Sequence, residues 1–77
     1  MALIVKPTTL IDGENDDVMY IGKCIISGVS QPDINEEIWE ITRITFVDGK
    51  ATKIENGINK GNKAYLAWNK RTTYNYI

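Results

Sequence analysis

The stretch EEIWEITRITFVDGKATKIE, residues 36–55, decides the fold, because it sets two β-leaning runs around one Asp-Gly pair. A two-residue hairpin loop that matches the twist of its strands needs positive φ at both central positions, which Asp and Gly adopt at least cost. Asp48 and Gly49 therefore predict a type I′ turn pairing Val47 with Lys50 and Phe46 with Ala51. The incoming strand covers 36–47, and its alternation is imperfect: Trp39 and Ile41 share one parity, Ile44 and Phe46 the other. Either both faces are partly buried, or a bulge near Thr42 and Arg43 switches the phase. The returning strand, 50–55, is expected to end at the turn pair Asn56-Gly57.

Upstream, VMYIGKCIISGV (18–29) is rich in β-branched and aromatic residues and bounded by turn formers, so it reads as a strand with a bend or bulge at Gly22. A shorter β-leaning run, 2–6, is closed by Pro7 and followed by the turn-rich TTLIDGENDD (8–17). The first 17 or so residues belong to the domain or form an extended arm. Downstream the period changes. From Asn62, an N-cap residue type, Ala64, Ala67, Trp68 and Arg71 recur at three- and four-residue spacing and predict about two helical turns. RTTYNYI (71–77) then returns to β composition. The expectation is a mainly β, single domain over 1–77: a small antiparallel sheet or barrel of about five strands, with one short C-terminal helix before the last strand. Tyr20, Trp39, Ile41, Tyr65 and Trp68 are its expected core, with Arg71 one turn beyond Trp68 in reach of a cation–π contact.

A chain of 77 residues has room for one small core and buries only about 60% of the surface its unfolded form exposes. One cysteine, Cys24, excludes an internal disulfide, and the absence of histidine removes the usual zinc constellations. A domain of this size without such a staple often gains stability by self-association, so a homo-oligomer is expected. The apolar run at the start ends within five residues at Lys6-Pro7, too short for a signal-peptide core or a membrane span. A soluble protein of a reducing compartment, with no membrane partner, is expected. The net charge of −1 hides an asymmetry: residues 1–40 carry −6 and residues 41–77 carry +5. Two halves folding side by side would neutralise each other.

Few groups suit chemistry. Asp12, Glu14 and Asp16 occupy positions one, three and five of a calcium loop, but its sixth and twelfth positions require Gly and Glu and here are Asp17 and Lys23. A solvated acidic loop is the favoured reading of 12–17. Glu36, Glu37 and Glu40 read as the wet edge of a strand. Cys24 lacks a base to activate it and reads as a small buried hydrophobe. No enzyme, cofactor or metal is expected. The C-terminal GNKAYLAWNKRTTYNYI (61–77) sets Lys63, Lys70 and Arg71 beside Tyr65, Trp68, Tyr74 and Tyr76, a mixture that single-strand nucleic-acid binders use. Against that stand a pI near 5.2 and the acidic first half. Lys63, Lys70, Tyr74 and Tyr76 are taken as contact residues, and Tyr65 and Trp68 as the pins of the helix.

Three motifs in order, YIGK (20–23), WEITRI (39–44) and GNKAYLAWNKRTTYNY (61–76), together resemble a group of short bacteriophage virion proteins. Those carry a Tyr-(Ile/Val)-Gly strand, a Trp-x-Ile-x-(Arg/Lys)-Ile strand, and a closing Gly-(Asp/Asn), aromatic, Trp-x-x-Arg, Tyr segment. Tyr65, Trp68, Arg71 and Tyr76 take the aromatic, Trp, Arg and final Tyr positions. The chain departs from the pattern at Asn69, where an acid often follows the Trp, and in SQPDINEE (30–37), which replaces a loop of small residues. The resemblance implies a structural protein of a capsid, neck, tail or fibre, assembled in the host cytoplasm and bound to other virion proteins. The alternatives are a small single-strand nucleic-acid module and a small regulatory or inhibitor protein.

Overall fold

Asp48 and Gly49 turn with φ of 52° and 78°, and the strands they join pair as the turn chemistry requires, Val47 with Lys50 and Phe46 with Ala51. The computed structural model describes residues 8–13, 15–26, 28 and 31–77, together with the backbone of the strand Ala2–Lys6. Pro7, Glu14, Ser27, Val29 and Ser30, which belong to the stretches quoted from the sequence, lie outside the described residues.

Around this hairpin the chain forms an open antiparallel sheet. The strands are β1 (Ala2–Lys6), β2 (Thr9–Asp12), β3 (Val18–Cys24), β4 (Glu37–Val47), β5 (Lys50–Ile58), β6 (Leu66–Ala67) and β7 (Asn75–Tyr76). The order across the sheet is β1-β2-β3-β4-β5-β7, with β6 paired to the start of β4. The mainly β, antiparallel expectation holds, and the sheet does not close into a barrel. The first residues form no separate arm: β1 and β2 pair with each other, and β2 with β3. Residues 9–12 form a strand although they fall in a stretch that reads as turns.

Two expected irregularities fall elsewhere. The β3–β4 register runs unbroken from Val18↔Thr45 to Cys24↔Trp39, so neither Gly22 nor Thr42-Arg43 is bulged. A bulge lies on β5, where Thr52 is the extra residue between the Thr45↔Lys53 and Phe46↔Ala51 pairs and its hydroxyl donates to the Thr45 carbonyl at 3.2 Å, and the register also shifts between Glu37 and Trp39 where β4 meets β6. The mixed parity of β4 thus reflects apolar residues on both faces. β5 also runs through Asn56-Gly57, because that segment pairs with β7 at Gly57↔Tyr76 and through two backbone bonds between Asn56 and Ile77.

The alternation turns Leu10, Gly22 and Ile41, paired across three strands, toward one face, together with Cys24 and Trp39. The C-terminal segment covers this face. A turn at Lys60 and Gly61 (φ 53° and 77°), closed by reciprocal Asn59 and Asn62 backbone bonds, reverses the chain. β6 then pairs with Glu37 and Trp39, the part of β4 that β5 does not reach. Instead of the expected two-turn helix there is one 3-10 turn, Trp68–Lys70. A helix is broken before it starts: the Asn62 side chain accepts the Ala64 N–H in a local turn, Tyr65 has φ of 64°, and Ala67 is extended. The helical stripe would also have left out Leu66, which is fully buried.

The core is Leu10, Trp39, Ile41, Leu66, Trp68 and Tyr76. Its two indoles meet at 6.4 Å, tilted by 46°. The Trp39 Nε1–H donates to the Asp33 carbonyl at 3.1 Å, so the buried ring leaves no donor unmet. Gly22 is needed for contact, not for bending: a Cβ there would lie 2.5 Å from Cε3 of Trp68.

Candidate functional site

The closing segment 61–77, which reads as a basic and aromatic strip, turns most of its rings inward. Trp68 lies under Arg71, whose guanidinium carbon is 4.6 Å from the ring centroid, as the spacing leads one to expect. Tyr76, an expected contact residue, is instead 8% exposed and belongs to the core. Its hydroxyl donates to the Arg71 carbonyl at 2.6 Å, and its ring packs on Tyr20 at 5.7 Å. Burial pushes the Tyr76 phenol above the ordinary tyrosine range. Tyr74 is half-buried and accepts the Ala67 N–H through its hydroxyl at 2.8 Å. Lys63 and Lys70 are exposed.

Tyr65 is the opposite correction. Expected in the core, it is 53% exposed. Its left-handed backbone, where the chain leaves the Lys60-Gly61 turn to join β6, sends the ring outward. Asn59 fastens the bend by donating from Nδ2 to the Tyr65 carbonyl at 2.8 Å and to Glu37 at 2.9 Å. The other core expectations hold: Trp39, Ile41 and Trp68 are buried, and Tyr20 packs against them half-buried.

Charged groups on the covered face are tied to one another. Asp12, Tyr20, Arg43 and Glu55 form one cross-strand row. Arg71 reaches down from the closing segment, its Nε and Nη2 donating to one Asp12 oxygen at 2.9 and 2.7 Å. Arg43 donates to Glu55 at 3.0 Å and lies over the Tyr76 ring at 4.5 Å. The bond to Glu55 raises the Arg43 pKa, fixing its charge more firmly. Each arginine thus joins an acid on the sheet to an aromatic ring of the closing segment, a role for Arg43 and Tyr76 that the linear spacing does not reveal.

Other candidates offer less. A groove of about 530 Å³ opens between Asp12, Asn15, Val18, Tyr20 and Thr72, with Asp12 already engaged by Arg71. Cys24 is half-buried, and its thiol faces the Ile26 carbonyl at 3.6 Å. Among the described residues no group of three or more His, Cys, Asp or Glu is arranged to hold a metal ion, and no helix is long and apolar enough to cross a membrane.

The second face of the sheet is the one that the mixed parity of 36–47 anticipates only as an alternative to a bulge. Alternation directs Ile11, Met19, Ile21, Ile44 and Ile54 to it, in the register rows Ile11–Ile21–Thr42 and Met19–Ile44–Ile54. Leu10, Gly22 and Ile41 are buried, whereas Ile11, Met19, Ile21 and Ile44 are only partly so, and Ile54 is 71% exposed. Imperfect alternation in β4 is the one linear trace of this second apolar face. Comparison with known protein families, with curated proteins and with solved structures finds no match.

Proposed function

We propose that this chain is a non-catalytic structural subunit of a bacteriophage particle, acting through protein–protein contact with copies of itself and with other virion proteins after assembly in the host cytoplasm. The observation that carries this reading is the fate of the three motifs. Tyr20, Gly22, Trp39, Ile41, Trp68, Arg71 and Tyr76 all meet on the covered face, where they build a sheet and its closure. Residues so placed build a scaffold, and contact is left to its surface: the open sheet face, the exposed Tyr65, and Lys63 and Lys70. A single-strand nucleic-acid role loses most of its stacking platforms, since the Trp68 and Tyr76 rings are covered and the Tyr74 ring is half-buried against the core. Mass spectrometry of purified particles from the virus that encodes the chain tests the reading. Recovery at a fixed copy number per particle is the expected result, and absence from washed particles would refute it.

A further inference from the structure

We infer that two copies of this chain pair face to face through the open side of the sheet, about a two-fold axis that runs along the strands between β3 and β4. The inference rests on the proposed role only in that both concern protein–protein contact, and it goes further by naming the surface and its occupant.

A β-sheet whose two faces are both apolar is stable in water when both are covered, as in two-layer sandwiches. Here one layer is supplied by the chain's own closing segment, and the other face presents Ile11, Met19, Ile21, Ile44 and Ile54. The molecule measures 38 × 28 × 16 Å, so the footprint of its broad face is at most about 1,000 Å², room for the 800 Å² or so per partner of a standard stable interface.

Charge selects a second copy as the occupant. On this face Lys23 of β3 and Glu40 of β4 are exposed register partners at one end of the apolar rows. A two-fold axis along the strands lays β3 of one copy over β4 of the other. It therefore brings Lys23 toward the partner's Glu40, and Glu40 toward the partner's Lys23, while Met19 and Ile44 cover each other. A patch that is its own complement in both apolar surface and charge suits an isologous dimer.

Sedimentation equilibrium of the full chain up to about 100 μM tests the pairing, a range that would reveal even micromolar affinity. A species of twice the 8.7 kDa chain mass is expected. Ile54→Lys, at a site already exposed in the single chain, is expected to fold normally by circular dichroism and to weaken pairing by at least about tenfold, because it buries an unpaired charge. Lys23→Glu is expected to weaken pairing through like charges, and Lys23→Glu with Glu40→Lys to restore it. A monomer throughout the range would overturn the inference, as would a folded Ile54→Lys that associates as tightly as the parent, or a charge swap that fails to restore what the single reversal lost. A monomer still present in purified particles would refute the pairing and leave the structural role standing. A dimer missing from particles would do the reverse.

Discussion

Gly22→Ala should destabilise this protein, although alanine normally gains about 0.5–1 kcal/mol over glycine within a strand. The added Cβ would lie 2.5 and 2.7 Å from Cε3 and Cζ3 of Trp68 and 3.5 Å from Cε3 of Trp39. Trp68 has little freedom to retreat. Its ring is packed against Trp39 and under Arg71, and its carbonyl is held by the Arg71 N–H at 3.1 Å and Nη1 at 3.2 Å. Overpacking costs about 1–3 kcal/mol and a 2.5 Å approach belongs at the upper end, about 2–3 kcal/mol, which leaves a net loss of about 1–2.5 kcal/mol after the alanine gain. Against a total stability of about 4–11 kcal/mol for a domain of this length, that is a large fraction. Urea denaturation should show a lower midpoint with an unchanged slope, and the melting temperature should fall by about 5–15 °C. The decisive comparison is a double-mutant cycle with Trp68→Leu, whose shorter side chain vacates the space. In that background Gly22→Ala should be neutral or stabilising, a coupling of about 1 kcal/mol or more. A stabilising Gly22→Ala in the parent, or an equal cost in both backgrounds, would refute the contact as the reason for the glycine.

Two further outcomes follow from the closing segment. Tyr65→Gly relieves a left-handed tyrosine and gives up little burial, so it should stay within about 0.5 kcal/mol of the parent in chemical denaturation, with Tyr65→Ala less stable than Tyr65→Gly; a loss of about 3 kcal/mol for Tyr65→Gly would return the ring to the core. Burial raises the folded-state pKa of Tyr76 above its ordinary value of 10.0, so the neutral phenol is the form the fold favours. Its contribution is complete below pH 10.0 and declines as the pH rises beyond it, because the unfolded chain then loses a proton that the folded chain retains. Tyr76→Phe should flatten that alkaline fall in stability, at a cost of about 1 kcal/mol for the lost bond to Arg71, and an unchanged alkaline slope would contradict the assignment.

The sheet was legible wherever local chemistry had one solution. Asp48-Gly49 has no cheaper use than a type I′ turn, and the pairing of Val47 with Lys50 follows from it. Glycines elsewhere misled, because the same residue serves bends and close approach. Gly57 reads as a turn but sits inside β5, where a Cβ would lie 2.5 Å from Leu66 Cδ2. The segment 62–71 was misread because four residues at helical spacing cannot outweigh tertiary demand, here the unpaired start of β4, which takes Leu66 and Ala67 as a strand. Tyr65 and Tyr76 exchanged expected roles for the same reason: once 66–67 are extended and 75–76 join β5, the first ring points out and the second in. The open apolar face leaves only the mixed parity of β4 as a trace in the sequence and takes the cross-strand register to assemble, since its residues come from separate strands.

Apart from Tyr65, the aromatic rings of the closing segment face inward, and the fold depends on it. Acrylamide quenching of tryptophan fluorescence, with and without a single-stranded oligonucleotide at low salt, tests it most directly, since Trp39 and Trp68 are 0% and 2% exposed. Blue-shifted emission, weak quenching, and no change on adding the oligonucleotide at low salt, where electrostatic attraction would be strongest, are the expected results. Red-shifted, readily quenched emission from a folded chain, or emission altered by the oligonucleotide, would contradict that placement.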